Sequence, residues 1–184
     1  VKASAIIKDL AGNQLANLPC SGGQVYNVNK IITYRSIGAN DGWILESTEI
    51  SNNGGTMDSA AATFNLGDDA ANKQYRAILH FDTSTLPPTA VITSVTLKIK
   101  KQGQVGTNPF TTHGRLLVDI RKPAFGTPAL QTTDFQAVPT KPAVATFGAT
   151  PVSAWYSAIL NNLGRANINR TGTTQFRLSF TLDD

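Results

Sequence analysis

The sequence predicts an all-β protein: a two-sheet antiparallel β-sandwich, jelly-roll-like, with one short helix and an N-terminal strand-like arm. Three observations carry that expectation. Charged residues make up only 15% of the chain against 41% apolar, and 22 threonines with 15 glycines raise strand and turn content. Two stretches alternate strictly: Val95, Leu97 and Ile99 against Thr96, Lys98 and Lys100, and Phe176, Leu178, Phe180 and Leu182 against Gln175, Arg177, Ser179 and Thr181. Such alternation puts one face on a core and the other in water. Turn signals at Asp41-Gly42, Asn52-Asn53-Gly54-Gly55 and Pro87-Pro88 break the chain into short pieces.

Taken in order, Val1 to Lys8 reads as a short strand before the Asp9 to Asn13 turn, and Cys20-Ser21-Gly22-Gly23 reads as a joint. Val25 to Tyr34 supplies a further, imperfect strand. Residues 1–40 are therefore an arm and lead-in strand, and residues 41–184 the sandwich domain. Trp43-Ile44-Leu45 starts that domain, the Asn-Gly cluster at 52–55 interrupts it, and Ala62 to Leu66 is the next expected strand. Tyr75 to Asp82 is the strongest local strand signal, and Pro87-Pro88 makes the link to Val91–Lys100 a loop, because proline lacks the N–H a ladder needs. Arg115 to Arg121 is a strand with Leu116, Val118 and Ile120 on one side. Residues 122–150, with Pro123, Pro128, Pro139 and Pro142, read as an irregular crossover with short extended pieces. The one helix is expected over Val152 to Leu163, where Val152, Trp155, Tyr156, Ile159 and Leu163 fall at helical spacing, with Ser153 as cap and Gly164 as stop.

Several function classes are disfavoured. The formal charge of +4 comes from scarce glutamate, only Glu46 and Glu49, and the basic residues are scattered, so no nucleic-acid partner is expected. No run of about 18 apolar residues is present, so no membrane span is expected. The single Cys20 excludes an internal disulfide framework. There is no Gly-x-Ser-x-Gly, phosphate loop or His-Glu-x-x-His, and Glu46 and Glu49 fall on opposite faces of a strand. The chain is read as noncatalytic.

Residues 76–87, Arg-Ala-Ile-Leu-His-Phe-Asp-Thr-Ser-Thr-Leu-Pro, with Ala90 to Leu97, resemble the DNRLRE-type domain. Asp41-Gly42-Trp43-Ile44, Leu66-Gly67, Val152-Ser153-Ala154-Trp155 and Gly172 to Leu178 look like further parts of its pattern, so the resemblance spans roughly residues 41–184. It implies a secreted, extracellular or cell-surface module of carbohydrate-binding type, with polysaccharide or cell-wall glycan as partner. Residues 1–40 precede the family's usual start, and its usual last strand has no counterpart before Asp184. Alternatives follow from these departures: residues 1–8 fill the vacant edge within one molecule, or donate a strand to a neighbouring copy so that the chain is the structural subunit of an extracellular filament, or the sequence is a trimmed piece of a longer chain.

A sugar platform needs flat aromatic faces, for which Trp43, Tyr75, Trp155 and Tyr156 are the candidates. Each tryptophan also has a packing reading: Trp43 between Gly42 and Ile44 in a core, Trp155 against Ile159 on the expected helix. Tyr156 is expected to be the more exposed. Calcium wants hard oxygens on a turning backbone, and Asp68, Asp69 and Asn72 supply three within a short span; the competing reading is an aspartate turn capped by its own amides. His80 is expected to be structural. Asn169-Arg170-Thr171 has the form of a glycosylation sequon.

Overall fold

The strand signal at residues 75–82 matures into the centre of the molecule. In the computed structural model, which describes residues 30–182, β4 (Gln74–Asp82) is flanked by β1 (Gly42–Glu46) and β9 (Thr173–Phe180). β2 (Gly54–Asp58) extends the sheet beyond β1. β6 (Leu116–Arg121) and β7 (Lys141–Thr146) extend it beyond β9, and the two-residue β3 (Gly67–Asp68) also pairs with β4. All these pairings are antiparallel. A second antiparallel sheet consists of β5 (Thr96–Lys100) and β8 (Trp155–Ile159). The protein is thus an all-β sandwich of a seven-stranded and a two-stranded sheet, with two short helices, α1 (Pro109–Thr112) and α2 (Asn162–Ala166). Tyr34 onward forms one compact unit, to which Ile37 N is tied by donating to His80 O at 2.7 Å. The expected strand at 1–8 lies outside the described residues, as do Cys20 and most of the expected 25–34 strand. Residues 30–34 are irregular.

The main core lies between the two sheets. Ala77, Leu79, Val118, Ile120, Phe176 and Leu178 from the large sheet meet Leu97, Ile99, Tyr156 and Ala158 from the small one. Period-2 alternation places those residues together. The other face of the large sheet was expected to be wet, and here the structure corrects the sequence reading. Gln175 is wholly buried and Arg177 nearly so, because the 122–138 crossover folds back over the sheet. Its Phe125, Leu130 and Phe135 form a second apolar cluster with Ile44 and Ile78. The polar side chains of β9 find most of their partners inside this layer, Arg177 Nε alone among Gln175 and Arg177 atoms being buried without one. Gln175 accepts from Phe125 N at 2.8 Å and donates to Pro128 O at 3.1 Å. Arg177 donates to the carbonyls of Asp134, Phe135 and Ala137 and pairs with Asp119 at 2.7 Å. Alternation read correctly which residues share a face, but it carries no sign of what covers that face.

The expected helix at Val152–Leu163 is also corrected. Val152 and Trp155 exchange two backbone hydrogen bonds of 2.9 Å each across Ser153 and Ala154, whose φ values are 49° and 67°. Positive φ at both central residues is the signature of the tight hairpin turns that feed a strand. The same segment satisfies a period of two, with Tyr156, Ala158 and Leu160 buried. Trp and Tyr at its start favour a strand. Helix α2 begins only at Asn162, and Gly164 is not its stop but a buried interior residue: a Cβ there would meet Val144 Cβ at 2.9 Å. Two smaller differences concern the sheet margin. Ala62–Leu66 is irregular, with the paired residues displaced to Gly67–Asp68. Gly54 and Gly55, expected to break the chain, instead lie in β2, where Gly54 sits against the Thr132 carbonyl with no room for a Cβ.

Candidate functional site

The two faces of β5 and β8 divide sharply. Leu97 and Ile99 point into the core with Tyr156 and Ala158. Thr96, Lys98 and Lys100 alternate outward, as do Trp155, Ser157 and Ile159. The register sets Lys100 opposite Trp155, Lys98 opposite Ser157 and Thr96 opposite Ile159. The outer face is a strip roughly 14 Å long at the rise of a strand. It carries an indole 44% exposed, with Val152 at 77% beside it and Ile159 at 69% at the strip's other end. Its strand positions contain lysines and hydroxyls but no carboxylate. Beneath it, Tyr156 stacks on Phe110 with centroids 5.2 Å apart, and Phe110 meets Phe180 edge-on at 5.1 Å. The strip is therefore anchored to the core by its inward side chains.

This reverses the packing expectation for the two aromatic neighbours. Trp155 was expected to pack and is exposed. Tyr156 was expected to be the more exposed and is buried, so it cannot serve as a sugar platform. The helical reading caused the exchange, because on a helix Trp155 and Ile159 would share an inward stripe, whereas on β8 they share the outward face.

Trp43 and Tyr75 form a separate pair on the large sheet. Trp43 pairs with Ala77 and Leu45 with Tyr75, so the rings are diagonal neighbours on adjacent strands. They meet edge-on, 5.2 Å apart with planes at 84°. Both are half-buried. An edge-on pair presents less continuous flat surface than one open indole.

The aspartate turn next to Tyr75 is engaged in its own bonds. Asp69 accepts from Ala71 N at 2.8 Å and Lys73 N at 3.0 Å, and Lys73 Nζ lies 3.5 Å from its other oxygen. Desolvation acts to raise the Asp69 pKa, but the amides of Lys73 and Ala71 and the Lys73 ammonium outweigh it and hold it low. Asp68 turns the other way, its carboxylate 3.7 Å from His113 Nε2. Asn72, with φ of 58°, is the turn's left-handed residue. Among the described residues there is no group of three or more His, Cys, Asp or Glu side chains placed to hold a metal. A calcium ion at Asp68, Asp69 and Asn72 would have to displace the turn's own donors.

His80 and Glu46 have structural partners. His80 lies in the middle of the large sheet, 1% exposed, with Nδ1 accepting from Gln175 Nε2 at 3.0 Å, since that amide nitrogen can only donate. Burial lowers its pKa, against the pull of Asp41 and Asp82. Glu46, buried at the end of β1, accepts from the amides of Asn52 and Gln74 and so closes the β1–β2 connection. The sequon asparagine is also engaged: Asn169 Nδ2 donates to Thr173 O at 3.0 Å, and its Oδ1 accepts from Thr171 N and Oγ1. Among the described residues no helix is long and apolar enough to cross a membrane. Comparison with protein-family models, with curated proteins and with solved structures found no match.

Proposed function

We propose that the chain is a noncatalytic extracellular surface module that binds a polysaccharide or cell-wall glycan on the outer face of β5 and β8. The observation that supports this reading is the open indole of Trp155 on an anchored strand, opposite Lys100, on a face that continues through Lys98 and Ser157 to Thr96. Apolar C–H faces of sugar rings stack on such a ring, while lysine and hydroxyl donors at its rim take hydroxyl or ring oxygens. A preformed platform loses little side-chain freedom on binding. The resemblance of residues 41–184 to the DNRLRE-type domain supports the same ligand class. Affinity electrophoresis through gels containing soluble polysaccharides tests it. Retardation in at least one gel, abolished in Trp155→Ala at unchanged melting temperature, is the expected outcome; free migration of the parent protein through every gel rejects the reading.

A second reading, a subunit of an extracellular filament, has one observation in its favour. Among the described residues β2 borders the large sheet and pairs only with β1, and its Gly55, Thr56 and Met57 are exposed. Such an edge is a template for strand addition. Sedimentation of the full chain beside a variant lacking residues 1–8 separates the readings: long assemblies lost on deletion favour the filament, and a monomer that still binds glycan counts against it.

A further inference from the structure

Apart from the Trp155 strip, the loop after Pro88 and helix α2 enclose a surface cleft of about 350 Å³, at the lower end of the roughly 300–1,000 Å³ typical of ligand pockets. Val91 and Ile92 form one wall; Asn162, Arg165 and Arg170 form the other. Both guanidiniums are fixed by the fold rather than by carboxylates. Arg165 donates to Leu160 O and to Asn162 Oδ1, and Arg170 Nη1 donates to Pro88 O at 3.2 Å. Those bonds use three of their N–H groups, and each guanidinium carries five. Arg170 Nε is buried and has no hydrogen-bond partner. No carboxylate lines the cleft, and among the described residues neither arginine makes an ion pair. Elsewhere the arginines have anionic or fuller carbonyl partners: Arg177 has Asp119 and three carbonyls, although its Nε is also buried without a partner, and Arg121 has the carbonyls of Ala124 and Val138.

We propose that this cleft is a binding site for a phosphate- or sulfate-type oxyanion, held by Arg165 and Arg170. Planar guanidinium forks match the oxygens of such groups, and their charge-assisted bonds are stronger than neutral ones. Preorganisation by Leu160 O, Asn162 and Pro88 O means that little rotamer freedom is lost on binding. The cleft has room for an oxyanion together with the group that carries it.

Titration calorimetry on the full chain at fixed ionic strength tests the site, with inorganic phosphate, inorganic sulfate, glucose 6-phosphate and glucose 6-sulfate as probes against a chloride background. Saturable one-to-one binding of at least one probe is expected, and whether the free ion or the ester binds tighter identifies the source. Arg165→Gln is expected to weaken it by roughly tenfold or more. Val91→Glu places a carboxylate at the cleft from a position 85% exposed, so folding is preserved and the same loss is expected. Val105→Glu, at a position 99% exposed and outside the cleft, adds the same charge without weakening binding. Absence of saturable binding of all four probes overturns the site, as does undiminished binding by both Arg165→Gln and Val91→Glu.

Discussion

Asp134 shows how one buried carboxylate reports on the layer that covers the large sheet. It is fully buried within the crossover, accepts from Gln131 N at 2.9 Å, and leaves its Oδ1 without a partner. Burial pushes its pKa up to about 6, against the Gln131 amide and the charge of Arg177. The folded state therefore binds a proton more tightly than the unfolded chain does. The fold is favoured when Asp134 is protonated, and that contribution is lost as pH rises from about 4 through 6. Asp134→Asn keeps the shape and an acceptor without the charge. It is expected to stabilise the protein by on the order of 1–3 kcal/mol at pH 7.5 and by little at pH 4, as measured by urea unfolding at the two values. Equal effects at both pH values would contradict a buried ionised carboxylate. Arg177 behaves oppositely, because its guanidinium holds three crossover carbonyls and Asp119. Arg177→Ala is expected to cost about 3 kcal/mol or more.

At the scale of elements, the Ser153-Ala154 turn and Gly164 carry the clearest consequences. Both turn residues hold positive φ, a conformation that costs an L-residue with a Cβ about 1–2 kcal/mol and that Asn-Gly adopts readily. The double change Ser153→Asn, Ala154→Gly is expected to raise the melting temperature by several degrees in calorimetry. Gly164→Ala, normally helix-favouring, is expected to destabilise by about 1–3 kcal/mol, because the new methyl would press on Val144 and Leu160. These two places also explain what the sequence left illegible. β4, β5, β6 and β9 were all readable: β5, β6 and β9 alternate apolar with mostly polar residues, and Tyr75 to Asp82 is a run of strand formers bounded by turns. The Val152–Leu163 segment satisfies periods of both 3.6 and 2, and Ser-Ala is not a turn signal that would have settled the choice. The burial of Gln175 and Arg177 depends on where Phe125, Leu130 and Phe135 return from a crossover distant in sequence, and local alternation does not encode that return. Trp155 was identified as a candidate while its exposure was misjudged, so the candidate site was legible by residue type but not by orientation.

At the scale of the molecule, the crossover layer and the small sheet cover opposite faces of one seven-stranded sheet. Such a central sheet, packed on both faces, gives β5 and β8 a firm base. The proposed function follows from that base: the outward residues of a two-stranded sheet, which alone would be marginal in water, are set in place by Tyr156, Ala158, Leu97 and Ile99. Because Asp69 is held by its own turn's amides and Lys73, the melting temperature is expected to be the same in millimolar calcium and in a chelator. The central claim concerns the Trp155 indole, and the chain has only two tryptophans. In a Trp43→Phe variant all indole emission comes from Trp155, so acrylamide quenching during titration with a polysaccharide that retards the protein reads the strip directly. Saturable protection of the fluorescence, with the same midpoint as binding, is the predicted result. Binding that leaves Trp155 as open to acrylamide as before would contradict the account.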